Sequence, residues 1–130
     1  MLKHKTTLRV RYKETDQMGV VYYSNYLVWF EVARTELLRE LNVTYKEIEK
    51  KTGLRLVVAE AQCRYLLPAG YDDLIDIICT VLETKMSSLS FGYTVKRKNK
   101  ILAKGRSVHV FTDSSGRPKR IPGILMEALR

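Results

Sequence analysis

The stretch "ETDQMGVVYYSNY", residues 14–26, places an ionisable carboxylate, Asp16, with a glycine and three tyrosines directly ahead of a strongly helical segment. Held beside a substrate, such a carboxylate acts as a general base or as a nucleophile. The same residues also spell a tight turn: "DxxG" suits an Asp that hydrogen-bonds its own backbone and a Gly19 that accepts φ > 0. Turn and chemistry both remain open for Asp16 at this level. A carboxylate just before a helix has one further property. The first-turn N–H groups of the helix, around residues 23–26, carry the positive end of the dipole and suit a developing oxyanion.

Other chemistry-bearing residues are sparse. Cys63 and Cys79 each sit inside an apolar run, which suits buried thiols better than a disulfide framework. His4 and His109 form no pair with metal-ligand spacing, so neither a metal nor a redox cofactor is expected. His109 reads as a packed or hydrogen-bonded sheet histidine, and Glu60 as a surface carboxylate on the polar side of a strand or an active-site neighbour.

At 130 residues the chain is expected to form a single domain. A 45% hydrophobic and 28% charged composition is ordinary for a globular protein, and no run approaches the roughly 18 apolar residues of a membrane helix. The start "MLKHKTTLRV" lacks an apolar signal core, so a cytoplasmic location is expected. The charge of +9, from 23 basic and 14 acidic residues, fits a nucleic acid, a phosphate-bearing ligand, an acidic partner or simple solubility. The basic residues at 96–100 and 116–120 lack interleaved aromatics, which argues against a nucleic-acid stacking platform.

These residues need elements to position them. Residues 7–12 alternate as a half-exposed strand, with Leu8, Val10 and Tyr12 on one side. Residues 24–42 carry Tyr26, Phe30, Ala33, Leu37 and Leu41 at helical spacing, with Ser24 or Asn25 as the N-cap and Asn42 closing the end. A capping box from Thr44 to Glu47 opens a short second helix that stops at Gly53. The period then becomes two. Val57, Ala59, Ala61, Cys63 and Tyr65 share one face of a strand; Ile75, Ile77, Cys79 and Val81 mark the next; Leu89, Phe91, Tyr93 and Val95 another; residues 101–112 the last. Residues 123–130 end the chain in a helical turn or two. This order predicts an α+β fold, an antiparallel sheet of five to six strands covered by one long helix. Open sheet edges and a remaining apolar face predict a homo-oligomer, a dimer or a dimer of dimers.

Residues 12–36, "YKETDQMGVVYYSNYLVWFEVARTE", resemble the signature of hot-dog-fold acyl-CoA thioesterases of the 4-hydroxybenzoyl-CoA thioesterase and YbgC type, roughly Y-x-D-T-D-x-x-G-V-V-Y-(H/Y)-x-N-Y-x-x-x-F-E-x-A-R. "CRYLLPAGYDD" at 63–73 and "SVHVFTDSSGRPKRIP" at 107–122 are similar to two further stretches of that family, with Gly70 standing where relatives carry Arg. The resemblance implies a curved sheet wrapped around the long helix and hydrolysis of an acyl-CoA to free acid and coenzyme A. It makes Asp16 the catalytic carboxylate and the helix N-terminus the oxyanion site. Gly19 then gives substrate close access to the backbone, Tyr23 orients substrate or water or merely packs, and Asn25 caps and positions the helix. Lys85, Ser87 and Ser88 match positions facing the nucleotide of coenzyme A. Acyl carrier protein is a further implied partner, and a non-catalytic acyl-CoA or acyl-carrier-protein binding module is the alternative reading.

Overall fold

The structure, a computed structural model, describes residues 2–130. Its elements follow as β1 (Lys3–Arg9), a 3-10 turn (Tyr12–Glu14), α1 (Asn25–Glu40), α2 (Tyr45–Thr52), β2 (Arg55–Tyr65), β3 (Leu74–Thr84), β4 (Ser88–Arg97), β5 (Lys100–Thr112) and α3 (Gly123–Ala128). The strands form one five-stranded sheet in the order β1-β3-β4-β5-β2, every neighbouring pair antiparallel. One long helix covers this sheet, so the α+β arrangement expected from the element order is present. Among the described residues no helix is long and apolar enough to cross a membrane.

Helix boundaries fall where local hydrogen bonding puts them. At the end of α1, Asn42 adopts φ 61°; its N–H reaches the Arg39 carbonyl at 2.9 Å and the next N–H, of Val43, reaches Leu38 at 3.0 Å. This is a left-handed stop that adds hydrogen bonds to the last carbonyls of the helix. The Thr44 hydroxyl accepts the Glu47 N–H at 3.2 Å to open α2, and Gly53, at φ 71°, closes it.

The core lies between α1 and the inner sheet face. Tyr26, Trp29, Phe30, Ala33, Leu37 and Leu38 of α1 are buried against Ile75, Ile77 and Cys79 of β3 and Leu89, Phe91, Tyr93 and Val95 of β4. Phe30 stacks on Tyr93 with ring centroids 4.1 Å apart. A Cβ at position 105 would overlap the Phe30 ring, so only glycine admits this packing on β5. Burying one such aromatic side chain contributes about 1.5–3 kcal/mol. Cys63 and Cys79 are free thiols.

Two strands depart from their expected patterns. Pairing with β3 runs from Lys3 opposite Thr80 to Arg9 opposite Leu74, so β1 starts and ends earlier than residues 7–12. Val10 leaves the ladder, and Tyr12 is exposed rather than facing inward with Leu8. In β2, a bulge between Val58 and Glu60 breaks the two-residue alternation. Leu56 and Cys63 turn inward, while Val57, Ala59, Ala61 and Tyr65 are exposed. β2 is the edge strand beside β5, and α1 contacts it less fully than it does β3.

Candidate active site

The chain between β1 and α1 is held by a carboxylate to which the sequence reading assigned no role. Glu14 is 3% exposed. Its Oε1 accepts the Arg11 N–H at 2.8 Å, and its Oε2 accepts the Trp29 indole N–H at 2.9 Å and the Arg11 guanidinium at 3.4 Å. Burial by itself would push this carboxyl up, but the hydrogen bonds and the Arg11 charge outweigh it and hold the pKa below the ordinary carboxylate value. The Glu14 carbonyl also accepts the Tyr22 N–H at 2.9 Å and the Asn25 side-chain amide at 3.0 Å. One residue thus fastens both ends of the loop to the helix. A clue was available, because Glu14 sits at the first acidic position of the motif, two residues before Asp16.

Asp16 does make the turn. Its Oδ1 accepts the Met18 N–H at 2.8 Å and the Val20 N–H at 3.4 Å, its carbonyl accepts the Gly19 N–H at 3.0 Å, and Gly19 adopts φ 81°. Among the described residues Oδ2 receives no hydrogen bond, so one carboxylate oxygen is held and the other is available. Asp16 and Gly19 line an open groove of about 590 Å³ with Tyr12, Lys13, Gln17 and Tyr71. A Cβ added at Gly19 would meet open space, so its backbone angle is what calls for glycine.

The helix start differs from the expected cap. Neither Ser24 nor Asn25 accepts a first-turn N–H through its side chain. Asn25 instead donates its amide to the carbonyls of Glu14 and Tyr22, at 3.0 and 3.2 Å, because both turn toward it from the loop. The Asn25 and Tyr26 N–H groups are taken by the carbonyls of Tyr22 and Tyr23. Among the described residues the Tyr23 and Ser24 N–H groups have no backbone acceptor.

Tyr23 lines a second, apolar cavity of about 290 Å³ with Val21, Tyr26, Tyr65 and Leu66. Its carbonyl accepts the Tyr65 hydroxyl at 3.1 Å. Gly70 pairs with Val20, and a side chain there would make only ordinary contacts, so packing does not demand glycine. Arg97 reaches this corner from β4, donating to Asp73 at 2.8 Å and the Pro68 carbonyl at 3.2 Å.

Glu60, Lys85 and Ser88 come together, in a different place. They line a cavity of about 230 Å³ with Glu83, Ser90 and Arg106, on the sheet face turned away from α1. The Ser90 hydroxyl there is buried without a partner. Ser87 is not among the lining residues; its carbonyl accepts the Phe111 N–H at 2.9 Å. Within one chain these residues are a cluster separate from the Asp16 groove. Among the described residues no group of His, Cys, Asp and Glu has the geometry to hold a metal ion.

Comparison with known proteins agrees with this architecture. The model of the thioesterase-like superfamily matches residues 10–129. The acyl-CoA thioesterase YbgC of Haemophilus influenzae is 38% identical over 75% of this chain and 71% of its own. The putative acyl-CoA thioesterase YneP of Bacillus subtilis is 34% identical over 84% and 79%. The solved structure of the DHNA-CoA thioesterase from Staphylococcus aureus superposes with a TM-score of 0.94 at 26% identity, covering 99% of this chain and 89% of that one. With the curved sheet, the covering helix and a family match over nearly its whole length, the chain belongs to the thioesterase-like superfamily as a YbgC-like hot-dog protein.

Proposed function

We propose that this protein is an acyl-CoA thioesterase that hydrolyses an acyl-CoA to a free carboxylic acid and coenzyme A, with Asp16 as its catalytic carboxylate. One observation carries the reading: a carboxylate with one oxygen free sits on the loop that leads into the helix start, where the Tyr23 and Ser24 N–H groups have no backbone acceptor. Thioester hydrolysis needs that combination. As a base, Asp16 takes a proton from water while the water oxygen bonds to the carbonyl carbon. The two N–H groups receive the oxyanion, the C–S bond breaks, and the proton passes to the departing thiolate. As a nucleophile, Asp16 itself bonds to the carbonyl carbon and expels the thiolate, and water then opens the resulting anhydride. Asn25 and Glu14 serve either route by fixing the loop against the helix, and the Tyr23 hydroxyl orients substrate or water.

The basic and hydroxyl side chains of Lys85, Ser88 and Arg106 suit the phosphates of the nucleotide end, with Glu60 at their border. In a homodimer joined along the exposed edge of β2, this cluster serves the Asp16 groove of the other subunit. Dimers of this kind pair further into tetramers. Acyl carrier protein presents the same thioester on a phosphopantetheine arm and is a second acyl donor of matching chemistry. We place the enzyme in the cytoplasm, where acyl-CoA is made.

The test is Asp16→Asn, assayed by thiol release across short, long and aromatic acyl-CoAs. It should retain the fold and lose about 10²–10⁴ in kcat, the range for removing acid–base assistance. An Asn variant with near-wild-type turnover would overturn the role of Asp16. A wild-type protein that binds acyl-CoA tightly and releases no thiol would overturn the enzyme in favour of a binding module.

A further inference from the structure

A fourth cavity, of about 310 Å³, opens between α1, α2, the start of β2 and the end of β5. That volume falls at the lower end of the range for small-molecule pockets. Its inner lining comes from positions far apart in sequence: Arg34, Tyr45 and His109, backed by Ile48 and Phe111. Arg34 is half-buried and, among the described residues, no carboxylate lies within ion-pair distance of its guanidinium. Its recorded hydrogen bond is a long one, 3.5 Å to the Tyr93 hydroxyl. The Tyr45 hydroxyl is buried beside the Arg34 guanidinium and makes no hydrogen bond shorter than 3.5 Å. A partly desolvated cation without an acidic partner, next to a buried hydroxyl that makes no short hydrogen bond, is a donor pair short of an acceptor.

The neighbouring groups do not fill that role. His109 Nε2 is engaged with the Ser107 hydroxyl at 2.7 Å, which in turn meets Tyr93 at 2.5 Å. Burial, with the Arg34 charge acting in the same direction, pulls the His109 pKa down to about 4, so the imidazole is neutral at pH 7. Glu31, Glu49 and Arg55 also border the cavity, all exposed to water that screens them.

The position of this cavity relative to the proposed reaction site gives it meaning. The strand β2 runs back along α1: Tyr65 at its end touches Tyr23 and Tyr26 at the helix start, and Leu56 at its beginning lines the Arg34 cavity. The apolar cavity beside Tyr23 and the cationic cavity at Arg34 therefore occupy the two ends of one seam. Leu27, 43% exposed, lies on α1 between them. From Tyr26 to Arg34 the helix advances about 12 Å at 1.5 Å per residue, a distance that an acyl chain of medium length spans.

We propose that the acyl group lies along the seam between α1 and β2 with its far end in the Arg34 and Tyr45 cavity, and that the enzyme selects acyl groups ending in a carboxylate. This rests on the acyl-CoA thioesterase reading above. Arg34 supplies a planar fork of donors matched to a carboxylate, and Tyr45 gains an acceptor. A chain ending in methyl leaves both groups without an acceptor in a partly buried place, and that asymmetry is a source of discrimination.

The experiment is calorimetric binding of two non-hydrolysable thioether analogues of acyl-CoA, equal in chain length, one ending in a carboxylate and the other in a methyl group. A series of lengths is used. The carboxylate-ended analogue should bind about ten- to a hundredfold tighter at the best length, as expected for charge-assisted bonds in a partly buried site. Both Arg34→Gln and Tyr45→Phe should reduce that ratio at least fivefold. The phenylalanine variant removes a hydroxyl that makes no short hydrogen bond, so it keeps the fold while testing the site. Equal affinity for the two ends at every length, or a ratio untouched by Tyr45→Phe, overturns this inference alone. Failure of every analogue to bind at millimolar concentration overturns it together with the thioesterase reading.

Discussion

Glu14 and Trp29 offer a direct measure of what holds the Asp16 loop to the helix. Replacing Glu14 by Leu leaves the Arg11 N–H and the Trp29 indole N–H without acceptors in a site where the carboxylate was 3% exposed. An orphaned buried donor costs about 1–3 kcal/mol, so Glu14→Leu, which orphans two, should lower stability by about 2–6 kcal/mol. The 2.9 Å indole bond is the part shared with Trp29. In a double-mutant cycle with Trp29→Phe it should appear as a coupling energy of about 1.5–3 kcal/mol, the value for a hydrogen bond to a charged group. Urea unfolding at pH 7 followed by circular dichroism is the assay, because Trp29 is the sole tryptophan and its replacement removes the fluorescence signal. The folded-state pKa of Glu14 is depressed, so its contribution is present above the unfolded value of 4.5 and is lost as pH falls through the folded value. The gap between wild type and Glu14→Leu should accordingly close in acid. A coupling energy below about 0.5 kcal/mol would refute the claim that this pair ties loop to helix.

Burial of His109 has its own pH signature. With a folded pKa near 4 against 6.5 unfolded, the unfolded chain binds the proton first, so stability should fall as pH drops from 6.5 to 4. The loss amounts to about 3 kcal/mol over that window and should be absent in His109→Gln, compared by urea unfolding; parallel curves for the two proteins would show that the imidazole is not held neutral. For the assembly, sedimentation equilibrium at micromolar concentration should give a dimer or tetramer. Lysines at Val57 and Val58, both exposed on β2, should shift it toward the single chain, and a monomeric wild type would overturn the β2 interface.

Features settled by neighbours in sequence were legible without the structure. Thr44, Gly53 and Asn42 punctuate the helices because caps and left-handed stops depend on hydrogen bonds a few residues away. The alternation of β3 and β4 read correctly because both strands lie directly under α1, where one face must be apolar and buried. The same reasoning failed on β2, where a bulge and an edge only partly covered by α1 loosen the constraint that makes a pattern periodic. The limits of β1 depended on how far β3 extends beside it.

The same division runs through the site. The types and spacing of residues 14–26 determined a carboxylate on a turn ahead of a helix, since "DxxG" folds on itself. Tertiary structure decided the rest. Asn25 donates instead of accepting because the Glu14 carbonyl arrives from across the loop. Glu14 is buried because Trp29, fifteen positions away, turns its indole inward. Glu60, Lys85 and Ser88 share a cavity on the far sheet face, away from Asp16, because strand pairing fixes which side each residue faces. Arg34, Tyr45 and His109 meet around one space because α1, α2 and β5 converge there, and no local periodicity encodes where separate elements converge.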